Sequence, residues 1–154
     1  MPPFTLVRQT GEPYGLFDLR GKVWVVSRLG ADDAPQMKAM HQLELHMRNL
    51  AESFMLVSVA DDPAKQTPAV LQAWATEHKT NPRRWTQVTG APDEVARVRT
   101  TLEIDPGHAV PYPLTLVDSH GRIRAVYDAG GIPSDVHDML EQLMYDAAVV
   151  VHEY

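Results

Sequence analysis

The chain has 154 residues, 44% of them hydrophobic, with 14 Lys and Arg against 20 Asp and Glu for a net charge of −6; this suits one domain over 1–154 whose core needs no disulfide or metal staple. The acidic balance and the lack of a basic block make nucleic acid and anionic membrane surfaces poor partners, the longest apolar stretch near the start is too short to span a bilayer, and the opening MPPFTLVRQTG lacks signal-peptide order. No cysteine is present, so thiol peroxidase and disulfide-exchange chemistry are excluded, because the thiolate is the nucleophile in both.

Phe4 to Val7 alternates weakly and precedes a turn at Thr10 to Tyr14, the pattern of a short edge strand or hairpin arm. Val23 to Leu29, after Gly21-Lys22, is a β-branched and aromatic run expected at the centre of a sheet covered on both faces. The helix that follows is expected to begin near Asp32 or Asp33 with Pro35 in its first turn, and its apolar stripe is Met40, Leu43, Met47 and Leu50. Phe54 to Ala60 is a second central strand, ended by Asp61-Asp62-Pro63.

Thr67-Pro68 is an N-cap followed by proline at the first helical position, with Leu71, Trp74, Ala75 and His78 on one face of the helix. Trp85 to Val88 is a short strand and Pro92 to Leu102 a helix with Val95, Val98 and Leu102 inward. Leu114 to Asp118 and Ile123 to Tyr127 form a hairpin in which Gly121 supplies the positive φ of the turn. A last helix from Ser134 to about Val151 carries Val136, Leu140, Leu143, Met144, Ala147, Val150 and Val151 on one side. Two parallel crossovers followed by an antiparallel pair define an α/β sandwich with a mixed central sheet flanked by helices, the thioredoxin-like topology.

The GKVWV strand, the DP-x-x-x-TP loop from Asp62 to Pro68 and the W-x-x-x-TG segment from Trp85 to Gly90 are not required together by any fold argument. With FTLVRQTGEPYGLFDLR and LTLVDSHGRIRAVYD, they make almost the whole chain resemble the Sco/SenC family, thioredoxin-fold proteins implicated in copper delivery and cytochrome oxidase assembly. The resemblance implies a C-x-x-x-C-P motif after the first core strand and a histidine before the late hairpin, jointly holding copper. Here that motif is missing, and two alignments place its thiols differently. If Pro35 and Met37 mark the family's proline and methionine, the thiol positions are Gly30 and Ala34, in a loop shortened by about three residues. If Met40 takes the methionine's place, they are Asp33 and Met37. The first alignment puts His41, Glu44 and Arg48 on the family's core face, which is costly if they are buried unpaired, so the apolar stripe weighs toward the second.

Counting back from Gly121, the histidine position falls on Val110, and His108 lies two residues earlier. Thioredoxin folds often carry a cis proline just before this strand, and Pro113 is the candidate. Gln66 stands where the family has an acidic residue before its TP pair.

Seven methionines and seven histidines are competent Cu(I) ligands without any thiolate. Met40, Met47 and Met144 sit on core stripes, and His41, His46, His137 and His152 lie on helices whose apolar faces point elsewhere. Met37, His108 and His41 remain as metal candidates, because all three approach the loop edge where the family binds metal. Asp32-Asp33 and Asp61-Asp62 sit at a helix start and a turn, where carboxylates serve as caps. No hydrolase, nucleotide or zinc motif is present. The expectation is a non-enzymatic, redox-inactive interaction module without a cofactor, partnered by an oxidase subunit or assembly factor. A thiol-free copper carrier is the alternative, and recruitment to an unrelated complex a third reading. The resemblance implies a periplasmic or membrane-tethered location if an anchor has been removed, and a cytoplasmic one otherwise.

Overall fold

The computed structural model describes residues 2–31, 34–47, 54–107, 110–131 and 133–152. Among these residues seven strands form one mixed sheet: β1 (Thr5–Arg8), β2 (Pro13–Gly15), β3 (Val23–Leu29), β4 (Phe54–Ala60), β5 (Trp85–Thr89), β6 (Pro113–Val117) and β7 (Ile123–Asp128). Their spatial order is β2-β1-β5-β4-β3-β6-β7. β3 and β4 run parallel from Val23↔Phe54 to Leu29↔Ala60, β4 and β5 are also parallel, and β6 returns antiparallel beside β3. The thioredoxin-like mixed sheet anticipated from the sequence is therefore present.

Among the described residues four α-helices cover the sheet: α1 (Pro35–His46), α2 (Pro68–His78), α3 (Pro92–Thr101) and α4 (Pro133–His152). Because strand side chains alternate between faces, a strand buried on both sides supplies two cores at once. Val23, Val25 and Leu29 of β3 pack with Met37, Met40 and Leu43 of α1 and with Leu143 and Ala147 of α4. Trp24 and Val26 pack on the opposite face with Val95 and Val98 of α3.

Of the two readings of the N-terminal segment, the hairpin arm holds: β1 pairs antiparallel with β2 and also with β5, so it is not an edge strand; Gly11, at φ +88°, turns the chain back so that β2 forms the edge. Pro13 suits that position because an edge residue has no ladder bond to donate on its outer side. Two further local expectations are corrected. α1 is capped at Ala34 with Pro35 at its first position and ends at His46, while Asp32, Asp33, Arg48 and Leu50 lie outside the described residues. The Tyr112–Pro113 peptide is trans, and no cis bond occurs among the described residues. Tyr112 is held by its N–H donating to Asp128 Oδ1 at 3.2 Å and by its carbonyl accepting from the Ala129 N–H at 2.9 Å. Proline then opens β6 in the isomer that X-Pro bonds ordinarily prefer.

The β6–β7 turn is built on Asp118, which is 1% exposed. Its Oδ1 accepts the N–H groups of His120 and Arg122, both at 2.9 Å, and Gly121 takes φ +78°. Burial raises the Asp118 carboxyl, but the backbone N–H groups of Arg122 and His120 and the guanidinium groups of Arg122 and Arg124 outweigh it, leaving a net lowering. A lowered carboxyl contributes stability above the ordinary carboxylate range and loses it as pH falls through the folded-state value. Asp118→Asn is therefore expected to cost about 1–3 kcal/mol at neutral pH. Its urea midpoint should converge on that of the wild type on acidification, and a constant gap at every pH would contradict this role.

Candidate functional site at the end of strand β3

The loop from Gly30 to Pro35 leaves the C-terminal end of β3 and enters α1. At Gly30 an added Cβ would lie 3.7 Å from the Ala34 Cβ and 2.7 Å from Gln36 Nε2. The first distance falls within the Cβ separation of a disulfide, about 3.5–4.5 Å. The second shows that the Gln36 amide occupies the space a residue-30 side chain would need.

Gln36 is 2% exposed and donates from Nε2 to the Arg28 carbonyl at 3.5 Å, while its Oε1 has no hydrogen-bond partner. Gln66 reaches the same strand end from the opposite loop, donating from Nε2 to the Leu29 carbonyl at 3.3 Å and accepting the Asp62 N–H at 2.8 Å. Two side-chain amides thus bridge the terminus of β3. The surrounding charges are structural: Asp61 pairs with Arg28 at 3.0 Å, and Arg99 bridges to Asp105 at 3.1 Å.

Met37 is completely enclosed, in one core cluster with Met40, Leu43 and Met47. The apolar stripe expected through Met40, Leu43 and Met47 is buried, and it continues back through Met37. The expected approach of Met37 to the loop edge is thereby corrected: at helical spacing from Met40 its thioether belongs to the core.

His41 lies on the flank of this stripe. Its ring is 4.8 Å from that of Trp85, 6.1 Å from Trp74 and 5.7 Å from His78. Trp74 and His78 stack at 4.3 Å, and Trp85 Nε1 donates to Ser58 Oγ at 2.9 Å. Half-buried Glu44 accepts the Asn81 N–H at 3.1 Å; burial pushes its carboxyl up, opposed by that bond and by Arg84. Of the three polar residues that made the Gly30/Ala34 alignment look costly, His41 and Glu44 are therefore partnered by groups from α2, β5 and the loop between them, and Arg48 lies outside the described residues. His108 lies outside the described residues, in a loop whose Gly107 N–H donates to the Val110 carbonyl at 3.1 Å.

The described residues of the loop do not fit a copper ion. Gly30 and Ala34 carry no donor atom, the Met37 sulfur is enclosed, and the Gln36 and Gln66 amides engage backbone, leaving no soft ligand set of the kind Cu(I) requires. Among the described residues no three His, Asp or Glu side chains are grouped to hold a metal.

Sequence reasoning missed Gln36. The signal available was a polar residue directly after Pro35, on a helix face otherwise given to methionine. Beside it an open groove of about 400 Å³ runs between α1 and α4, from Pro35 and Ala39 to Val136 and Leu140, rimmed by Lys38 and His137. Among the described residues no helix is long and apolar enough to cross a membrane.

A family model described as SCO1/SenC matches residues 1–144. Among solved structures, a SCO1/SenC family lipoprotein from Bacillus anthracis is similar at 20% identity, with 97% of this chain and 94% of that one covered and a TM-score of 0.75. BsSco, characterised by a disulfide switch and described as a member of the Sco family of cytochrome c oxidase assembly proteins, matches at 17% identity over 98% and 92%, with a TM-score of 0.77. ScoI from Arabidopsis thaliana with copper bound matches at 14% identity over 99% and 98%, with a TM-score of 0.73. No curated protein matches the sequence.

Proposed function

This chain belongs to the SCO1/SenC family, and we propose that within it the protein is a redox-inactive interaction module, acting through contacts around the Gly30–Pro35 edge rather than through thiol or metal chemistry there. The observation that carries this reading is the Gly30/Ala34 pair: two Cβ positions 3.7 Å apart with no sulfur on either and a glutamine amide between them and the strand end. Disulfide exchange and thiolate ligation both need the missing atoms. The groove between α1 and α4 begins at Pro35, where this edge enters α1.

The partner class follows from the relatives. BsSco is described as belonging to a family of cytochrome c oxidase assembly proteins, so an oxidase subunit or assembly factor is the expected partner of this chain. The competing reading, a thiol-free copper carrier, needs Met37 and His41 to leave the core and the aromatic cluster, respectively, to join His108.

Titrating Cu(I) into the purified protein against a chromophoric chelator separates the two. The expected result is no association tighter than weak micromolar binding; a stoichiometric, tight complex overturns the proposal. Co-purification with an oxidase subunit is expected to weaken when Leu140→Glu places a charge in the α1–α4 groove.

A further inference from the structure

The sheet end opposite the Gly30 loop carries a second cleft, of about 550 Å³, between the β1–β2 hairpin and the N-terminal ends of β4 and β5. β3 separates the two ends by its seven residues, roughly 20 Å at the usual rise per residue. Arg8, Lys22 and Arg83 all line this cleft. In a chain of net charge −6, three cations converge there, and among the described residues none of them forms an ion pair. Arg8 stands over the Tyr14 ring at 5.5 Å from its centroid, with its Nε buried and lacking a hydrogen-bond partner. The acid in the lining is Glu12, whose carboxylate already accepts the Thr10 hydroxyl at 3.0 Å.

Two buried hydroxyls complete the wall: Tyr14, 6% exposed, and Thr86, 0% exposed. Neither the Tyr14 Oη nor the Thr86 Oγ1 has a hydrogen-bond partner, so two buried hydroxyls, each able to donate a proton, stand unsatisfied in the wall. The cleft therefore presents guanidinium, ammonium and hydroxyl donors in excess of the single Glu12 carboxylate among its described lining residues, an arrangement whose natural complement is an oxyanion. Its volume lies within the range of small-molecule sites, about 300–1,000 Å³, and Met55 and Pro82 supply apolar wall.

We propose that this cleft binds a small organic molecule through a phosphate or carboxylate group, held by Arg8, Lys22 and Arg83 with the Tyr14–Thr86 hydroxyl pair. The ligand is recognised far from the Gly30 loop, so the site is independent of the missing thiols.

The test uses the whole chain and two probes, glycerol 3-phosphate and citrate, with sodium chloride at matched ionic strength as control. Saturable binding is expected by calorimetry and as a rise in melting temperature. A response to the phosphomonoester alone assigns a phosphate ligand, and a response to citrate alone a carboxylate. Arg83 is exposed and Lys22 partly so, so Arg83→Gln is expected to fold and to weaken binding at least tenfold, and the Arg83→Gln, Lys22→Gln double variant to abolish it. The proposal fails if neither probe exceeds the chloride control, or if the double variant binds as tightly as the wild type.

Discussion

A Gly30→Cys, Ala34→Cys variant is expected to close an intramolecular disulfide under mild oxidation, losing both free thiols and a mass of two hydrogens. The two Cβ positions are 3.7 Å apart, and the Gly30 backbone lies outside the left-handed region, so a side chain there brings no backbone strain. The one obstruction is Gln36 Nε2, 2.7 Å from the new Cβ, the far end of a flexible side chain tied by a single long bond. It can swing away. The chain entropy of so short a loop favours the oxidised form by about 2 kcal/mol over the reduced one, read as a shift in urea midpoint. The pair taken from the other alignment is expected to behave in the opposite way: Asp33→Cys, Met37→Cys should stay reduced, because residue 37 is enclosed in the core. Oxidation of the second pair and not the first would move the thiol positions to Asp33 and Met37.

The strands that build the centre were legible because their burial is written in the sequence. β3 and β4 are pressed on both faces, so Val23 to Leu29 and Phe54 to Ala60 run apolar almost without interruption and end where the structure ends them. Thr67-Pro68 and the Asp118–Gly121 turn were legible because their chemistry is local: the Thr67 hydroxyl accepts the Val70 N–H, and the Asp118 carboxylate caps its own turn. The site was less legible because its determinants are long-range. The stripe through Met40, Leu43 and Met47 identifies the buried face correctly, but Met37 shares it, so facing alone could not choose between the alignments. What admits His41 and Glu44 at the flank of that face is Trp74 and Trp85 on other elements and the backbone of Asn81, none of which helical spacing reveals. Gln36 shows the same limit, since its role depends on the Arg28 carbonyl and on the lack of a side chain at Gly30.

Met37→Ala is expected to lower stability by about 2–5 kcal/mol, because it empties an enclosed position, while Met37→Leu should cost less than about 1.5 kcal/mol by conserving volume and apolarity. The side chain is fully buried among Met40, Leu43 and the β3 residues, so the loss is one of packing contacts on both α1 and the sheet. Denaturant midpoints of the two variants measure the difference directly. The leucine variant carries the functional weight, since alanine could abolish any binding merely by loosening the fold. If the thioether only packs, Met37→Leu stays within that small stability cost and leaves the Cu(I) titration where it was. If it is a ligand, leucine removes the sulfur while sparing the core, and copper binding disappears from a protein that is still folded; that result would restore the carrier reading and reduce the Gly30/Ala34 geometry to a feature of the loop alone.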